Sequence, residues 1–250
     1  MRGPRPDTAF SVADIPAWRC PACDSQTLML VPESFVTMLT AFSRINRGED
    51  WYEAEHEESV FSCLLKCSRA DCQQPVAVSG EGQLEDEWDD RMQSRIGQST
   101  YFRAKMFVPP LPVFNIPENC PYPIKMQLLR VAGLLAMSGE AAVNAMRSVL
   151  ELLLDEMEVP LQLERENKSP RVLNLHNRIE EFPNIIGIHQ AAFMALKWVG
   201  NSGSHSRRSI PEKDIDDAIS VLDDLLTQLY GGVALKVTRL HEAHAPKKPS

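Results

Sequence analysis

Two pairs of closely spaced cysteines, Cys20-Pro-Ala-Cys23 and Cys67-Ser-Arg-Ala-Asp-Cys72, constrain this chain more than any other feature. Structural zinc is held by four tetrahedral ligands, and two hairpin-like knuckles that donate two thiolates each are a recurrent way to supply them. The spacing predicts one structural zinc ion on Cys20, Cys23, Cys67 and Cys72. The 43 residues between the pairs must loop out of such a zinc-ribbon unit. Four thiolates leave no open position for water, so catalysis at the ion is not expected. Of the other two cysteines, Cys63 shares a strand face with Phe61 and Leu65 and reads as a buried apolar thiol. Cys120 reads as an unpaired thiol.

A disulfide reading of the same pairs would need an oxidising compartment. The N-terminal stretch lacks the apolar core of a signal peptide. No apolar run approaches the roughly 18–20 residues that span a bilayer. The expectation is a cytoplasmic protein without a membrane partner, in which paired cysteines mean metal. Charge narrows the partners further. The net charge of −8 is almost all in residues 1–120, which carry −7. It comes from two acidic blocks, Glu49 to Glu58 and Glu81 to Asp90. Phosphate backbones are repelled by such a surface, so any RNA should meet the second half of the chain.

Five segments follow from the pattern. Residues 1–17 form an N-terminal arm, and 18–106 a zinc-ribbon unit with acidic helical inserts. Within that unit Ser34 to Ile45 has helical apolar spacing, and Ser59 to Lys66 alternates as a strand. A further strand, Pro75 to Ser79, is expected to stop at Gly80-Glu-Gly82. Residues 107–123 hold six of the 18 prolines and read as a stiff connector. Residues 124–231 read as an antiparallel helical bundle of five helices. These span Ile124–Met137, Glu140–Glu158, one capped by Ser169, one over Ile185–Val199, and one opened by the capping box Ser209-Ile-Pro-Glu212. Residues 232–250 read as a flexible tail. The fold class expected is mainly α, with a small β zinc-ribbon unit ahead of the bundle.

Two stretches carry a resemblance. One is Ala145-Met-Arg147-Ser-Val-Leu-Glu151, and the other is Lys197-Trp-Val-Gly-Asn201-Ser-Gly-Ser-His205. Together with the Cys-x-x-Cys start and the closing Leu-Tyr helix, they resemble the bacterial domain of unknown function 4145. That family is similar to the HEPN superfamily of helical bundles, which pair as dimers and include metal-independent ribonucleases. The resemblance implies a homodimer in that sense. It casts His205 as acid–base, Asn201 as orienting group, Lys197 as the basic residue, and Arg147 with Glu151 as support from a neighbouring helix. A histidine can move a proton near neutral pH, and a cation stabilises charge developing on phosphate. The basic position is lysine here, which lacks the planar fork of arginine. The residues also admit a structural account. Gly200 and Asn201 suit a helix terminus, and Arg147 with Glu151 suits an ordinary ion pair.

Two functions from different classes follow. The resemblance implies an RNA-associated HEPN-like module of a bacterial conflict or anti-phage defence system, able to act as a weakened metal-independent ribonuclease. The alternative is a non-catalytic protein-interaction or dimerisation module serving a restriction or defence complex. His-Glu-x-x-His, Gly-x-Ser-x-Gly and P-loop signatures do not occur, which leaves no other hydrolase class in view.

Overall fold

A computed structural model describes residues 3–89, 94–166, 168–205 and 209–232. The chain divides into two compact units. The first comprises Met1–Pro112 with Ala132–Ser138, the second Val113–Val131 with Gly139–Ser250.

The first unit is an antiparallel sheet, not a small ribbon with helices added. Its strands are β1 (Leu28–Leu30), β2 (Val36–Leu39), β3 (Glu58–Cys67), β4 (Pro75–Asp89) and β5 (Ser94–Val108). Their order is β1-β3-β4-β5, with β2 also paired to β3. β3 alternates strictly between exposed and buried residues, so one face is solvated and the other packs inward. Phe10, Phe61 and Phe102, with half-buried Phe35, meet on the inner face with ring centroids 4.9–5.9 Å apart. Trp18 and Phe107 extend this cluster.

The mainly-α expectation is therefore overturned: 42% of the described residues are helical and 26% are strand, and a curled half-barrel sheet dominates the N-terminal part. Two local misreadings account for it. Val36–Leu39 is a strand because each residue finds a partner on β3, from Val36 opposite Ser62 to Leu39 opposite Ser59. The helix there is only α1 (Ala41–Asn46), opened by Thr40, whose hydroxyl accepts from the Ser43 N–H. Gly80 and Gly82 do not end β4 but lie within it. A Cβ on Gly80 would sit 2.1 Å from the Arg103 carbonyl and 2.7 Å from the Phe61 ring. One on Gly82 would sit 2.7 Å from the Phe102 ring. These glycines let the core rings close onto the strand, and opposite Ser79 and Gly80 the β5 strand bulges, leaving Lys105 out of register. The second acidic block, from Glu81 to Asp89, lies in the far half of the β4–β5 hairpin, so it is extended and not helical. The first forms a short 3-10 turn at Ala54–His56 leading into β3.

The second unit carries α2 (Tyr122–Leu135, whose end falls in the first unit), α3 (Gly139–Glu156), α4 (Leu175–Glu181), α5 (Pro183–Ile186), α6 (Gln190–His205) and α7 (Glu212–Tyr230). The hairpin β6 (Gln162–Arg165) and β7 (Lys168–Val172) occupies the place where a helix capped by Ser169 was expected. Pro170 lies in a two-stranded edge instead, where its missing N–H is tolerated. The cap is Asn174, whose side chain accepts from the Asn177 N–H at 2.9 Å. Gly187, at φ +60°, divides the expected fourth helix. α7 opens with Pro211 at its N-cap, not with the Ser209 box. Its core is built from Val143, Met146, Leu150 and Leu153 of α3, Phe193 and Leu196 of α6, and Ile219, Leu222 and Leu226 of α7.

Candidate functional site

Cys20 and Cys23 lie in the turn before β1, Cys67 ends β3, and Cys72 lies in the turn before β4. The pairing of Leu28 opposite Cys67 draws the two turns together. The four sulfurs lie within 4.8 Å of one another and could hold a metal ion. Two of the sulfur pairs, Cys20–Cys72 and Cys23–Cys67, are 3.7 Å apart. A tetrahedron with a metal–sulfur bond of about 2.3 Å has edges of about 3.8 Å, so the donor set fits a thiolate-bound ion.

The surroundings repeat from one turn to the other. Each thiol receives the backbone N–H two residues on: Ala22 to Cys20, Ser25 to Cys23, Arg69 to Cys67 and Gln74 to Cys72. Each turn also passes through a left-handed residue just after its second cysteine, Asp24 at φ 60° and Gln73 at φ 49°. That geometry swings successive N–H groups toward one point. The Ser25 N–H holds the Cys23 thiol down to about 6. A contact of 3.0 Å from the Thr27 hydroxyl lowers Cys67. Burial pushes Cys20 up. At Cys72 the Gln74 N–H favours the thiolate, but burial and the neighbouring thiols outweigh it and push the group up to about 12. Arg69, tied to Asp71 at 2.7 Å, adds a positive charge beside Cys23 and Cys67.

Cys63 stands apart in the core, where burial pushes its thiol up to about 11. Thr27, Ser25 and the two left-handed residues were not singled out by cysteine spacing. The only trace of them in sequence is position: Asp24 and Gln73 directly follow a cysteine, Ser25 lies two residues beyond Cys23 and Thr27 four.

The helix-end residues form a second constellation, on α3, α4 and α6. Arg147 donates to the Asn201 side-chain carbonyl, linking α3 to α6. α6 runs through Gly200 and Asn201 to His205, so these two do not terminate a helix. At Gly200 a Cβ would lie 2.8 Å from Arg147 Cγ, which explains a glycine where the helices approach. Lys197 is only 6% exposed, with its ammonium 3.4 Å from the Trp198 ring centre. Burial, and then the Arg147 charge, lower its pKa, while Glu180 opposes them. Glu151 lies on the exposed side of α3, and among the described residues no ion pair joins it to Arg147. The side chain of His205 lies outside the described residues. His176, on α4, belongs to the same constellation. It stands beside Trp198, with ring centres 5.9 Å apart, and pairs with Glu180 at 3.3 Å. The i,i+4 spacing of His176 and Glu180 was its only sequence signal.

Residues 130–248 match the family described as "Domain of unknown function (DUF4145)", and residues 8–109 match "Domain of unknown function (DUF8608)". No curated protein and no solved structure matches the chain. No described helix is long and apolar enough to cross a membrane.

Proposed function

We propose that this chain is a protein-interaction module braced by a zinc ion, in which the sheet of the first unit presents its outer face to a partner. One observation carries this reading. Val36, Met38, Val60, Leu64, Met106 and Val108 all fall on the solvent face by register, and each is 43–65% exposed. Single exposed aliphatic residues are ordinary, but six of them on one sheet face, drawn from β2, β3 and β5, are what binding surfaces look like. Zinc at the four thiolates suits the all-sulfur, four-ligand donor set, and reduced cysteines suit a cytoplasmic setting. The ion would tie the ends of β1, β3 and β4 and so hold the curled face in one shape.

The helical constellation favours this reading over RNA cleavage. The largely buried Lys197 places its ammonium on the Trp198 ring, and Asn201 already accepts from Arg147. A second reading, RNA binding at the helical unit, is favoured by the closeness of the Arg147 and Lys197 charges. Both readings fit a defence or restriction complex, the setting suggested by the family resemblance, and a homodimer is a further candidate assembly.

The experiment pairs Val60→Asp with Met106→Asp in one variant and uses Lys197→Ala as the other. Cross-linking in the native cell from Lys66 and Lys105, which flank the face, should join a partner protein in the parent and in Lys197→Ala. The double variant should lose the adduct. RNA cleavage by purified protein in a mild chelator, abolished by Lys197→Ala, would reverse the choice of reading.

A further inference from the structure

We propose that the excursion between β2 and β3 is a docking site for a basic peptide segment of a partner protein. This surface differs from the aliphatic sheet face, and the inference stands whether or not that face binds anything.

The excursion is ordered by its own hydrogen bonds. Ser43, fully buried on α1, accepts from the Glu58 N–H at 2.8 Å and donates to the His56 carbonyl at 3.3 Å. Tyr52 donates its hydroxyl to the same carbonyl at 3.1 Å, and the Glu53 N–H donates to His56 Nδ1 at 3.0 Å. On this frame the rings of Phe42, Trp51, Tyr52 and His56 gather with centroids 5.7–6.4 Å apart. A loop that needed only an anchor would sink such rings into the core. Instead Phe42, Ile45 and Trp51 remain 46–72% exposed. Exposed tryptophan and its aromatic neighbours are the residues on which binding energy concentrates.

The surrounding charge fixes the sign of the occupant. Glu49, Asp50, Glu53, Glu55, Glu57 and Glu58 all belong to this segment, and among the described residues only Glu57 is ion-paired, to Arg47 at 3.0 Å. A cleft of about 490 Å³ opens beside Tyr52, lined by Glu53, Glu55, Glu57 and Asp86 and by two arginines, Arg47 and Arg95, the first already paired with Glu57. Arg95 is matched by Asp86 at 3.0 Å, which leaves Glu53 and Glu55 uncompensated. Phosphate is repelled by this surface, whereas a lysine or arginine gains from both the carboxylates and the ring faces. Tyr52 belongs to the ring cluster and to the cleft wall. A peptide can therefore lay an apolar residue on Phe42, Ile45 and Trp51 and send an adjacent cationic side chain into the cleft. A free small cation would leave the aromatic shelf uncovered.

The test selects a library of displayed random peptides against the full metal-loaded chain, with Trp51→Ala and the double variant Glu53→Gln/Glu55→Gln as counter-targets. These side chains are solvent-facing or half-buried, and unchanged metal content and circular dichroism would show that the variants fold. The selected peptides should pair lysine or arginine with an apolar residue. They should bind more weakly as salt rises, lose about tenfold or more in affinity on each counter-target, and bind Val60→Asp/Met106→Asp unchanged. Absence of Trp51-dependent peptides, selection of peptides without a cation, or affinity unchanged by Glu53→Gln/Glu55→Gln would overturn the proposal. Self-association that depends on Trp51 would overturn it too, by making a second copy the occupant.

Discussion

At Cys72 a single sulfur decides whether two turns from distant parts of the chain stay together. Cys72→Ser or Cys20→Ser should abolish metal binding and unfold the sheet end, because a structural site loses its ion when one of four ligands goes. Cys63→Ser should keep the metal, since its thiol lies in the apolar core outside the cluster. Elemental analysis of purified variants should give about one zinc per chain for the parent and for Cys63→Ser, and none for the other two. Lys197 makes the converse case, a buried charge without a carboxylate within pairing distance among the described residues. Its folded pKa lies below its unfolded value of about 10.4. Between those two values the unfolded chain holds more protons, so stability rises with pH through that window and the penalty is fully present below it. Lys197→Met should therefore be at least as stable as the parent at pH 7, by on the order of 1 kcal/mol. It should also lack the parent's rise toward pH 10 in denaturant melts. A variant clearly less stable at pH 7 would mean that the Trp198 contact outweighs the burial cost.

Elements show how far the sequence could be read. The four cysteines were legible because ligand spacing is a covalent property of each turn. The helices α3 and α7 were legible because a long apolar period leaves little ambiguity. Val36–Leu39 was not, since four apolar or β-branched residues satisfy either period and pairing with β3 decided the outcome. Gly80 and Gly82 read as a strand end because the rings that need the space, Phe61 and Phe102, come from other strands. Gly200 likewise read as a helix terminus, although its reason is Arg147 on another helix. Close approach is a tertiary fact, and a glycine carries no label for it. Gly80→Ala should thus cost about 2–3 kcal/mol, because backbone must shift to admit the methyl group. Gly48→Ala, with nothing within 4 Å of its new Cβ, should change stability by less than about 0.5 kcal/mol. Equal losses from the two, measured by urea melts, would contradict the packing account of β4.

At the scale of the whole molecule, the four clustered thiols and the exposed aliphatic face both belong to the first unit, and the second is largely helical. The solvent face of the sheet supplies its own probes, because Met38 and Met106 lie on it and Met137 is comparably exposed elsewhere. Methionine oxidation, followed by peptide mass spectrometry, reads the exposure of each side chain without any substitution. The purified chain should be oxidised at all three positions at similar rates. In gently lysed native cells Met38 and Met106 should be protected severalfold while Met137 is not. Oxidation of Met38 and Met106 at the purified-protein rate in native lysate, where the assembly remains intact, would contradict the claim that this face is covered by a partner.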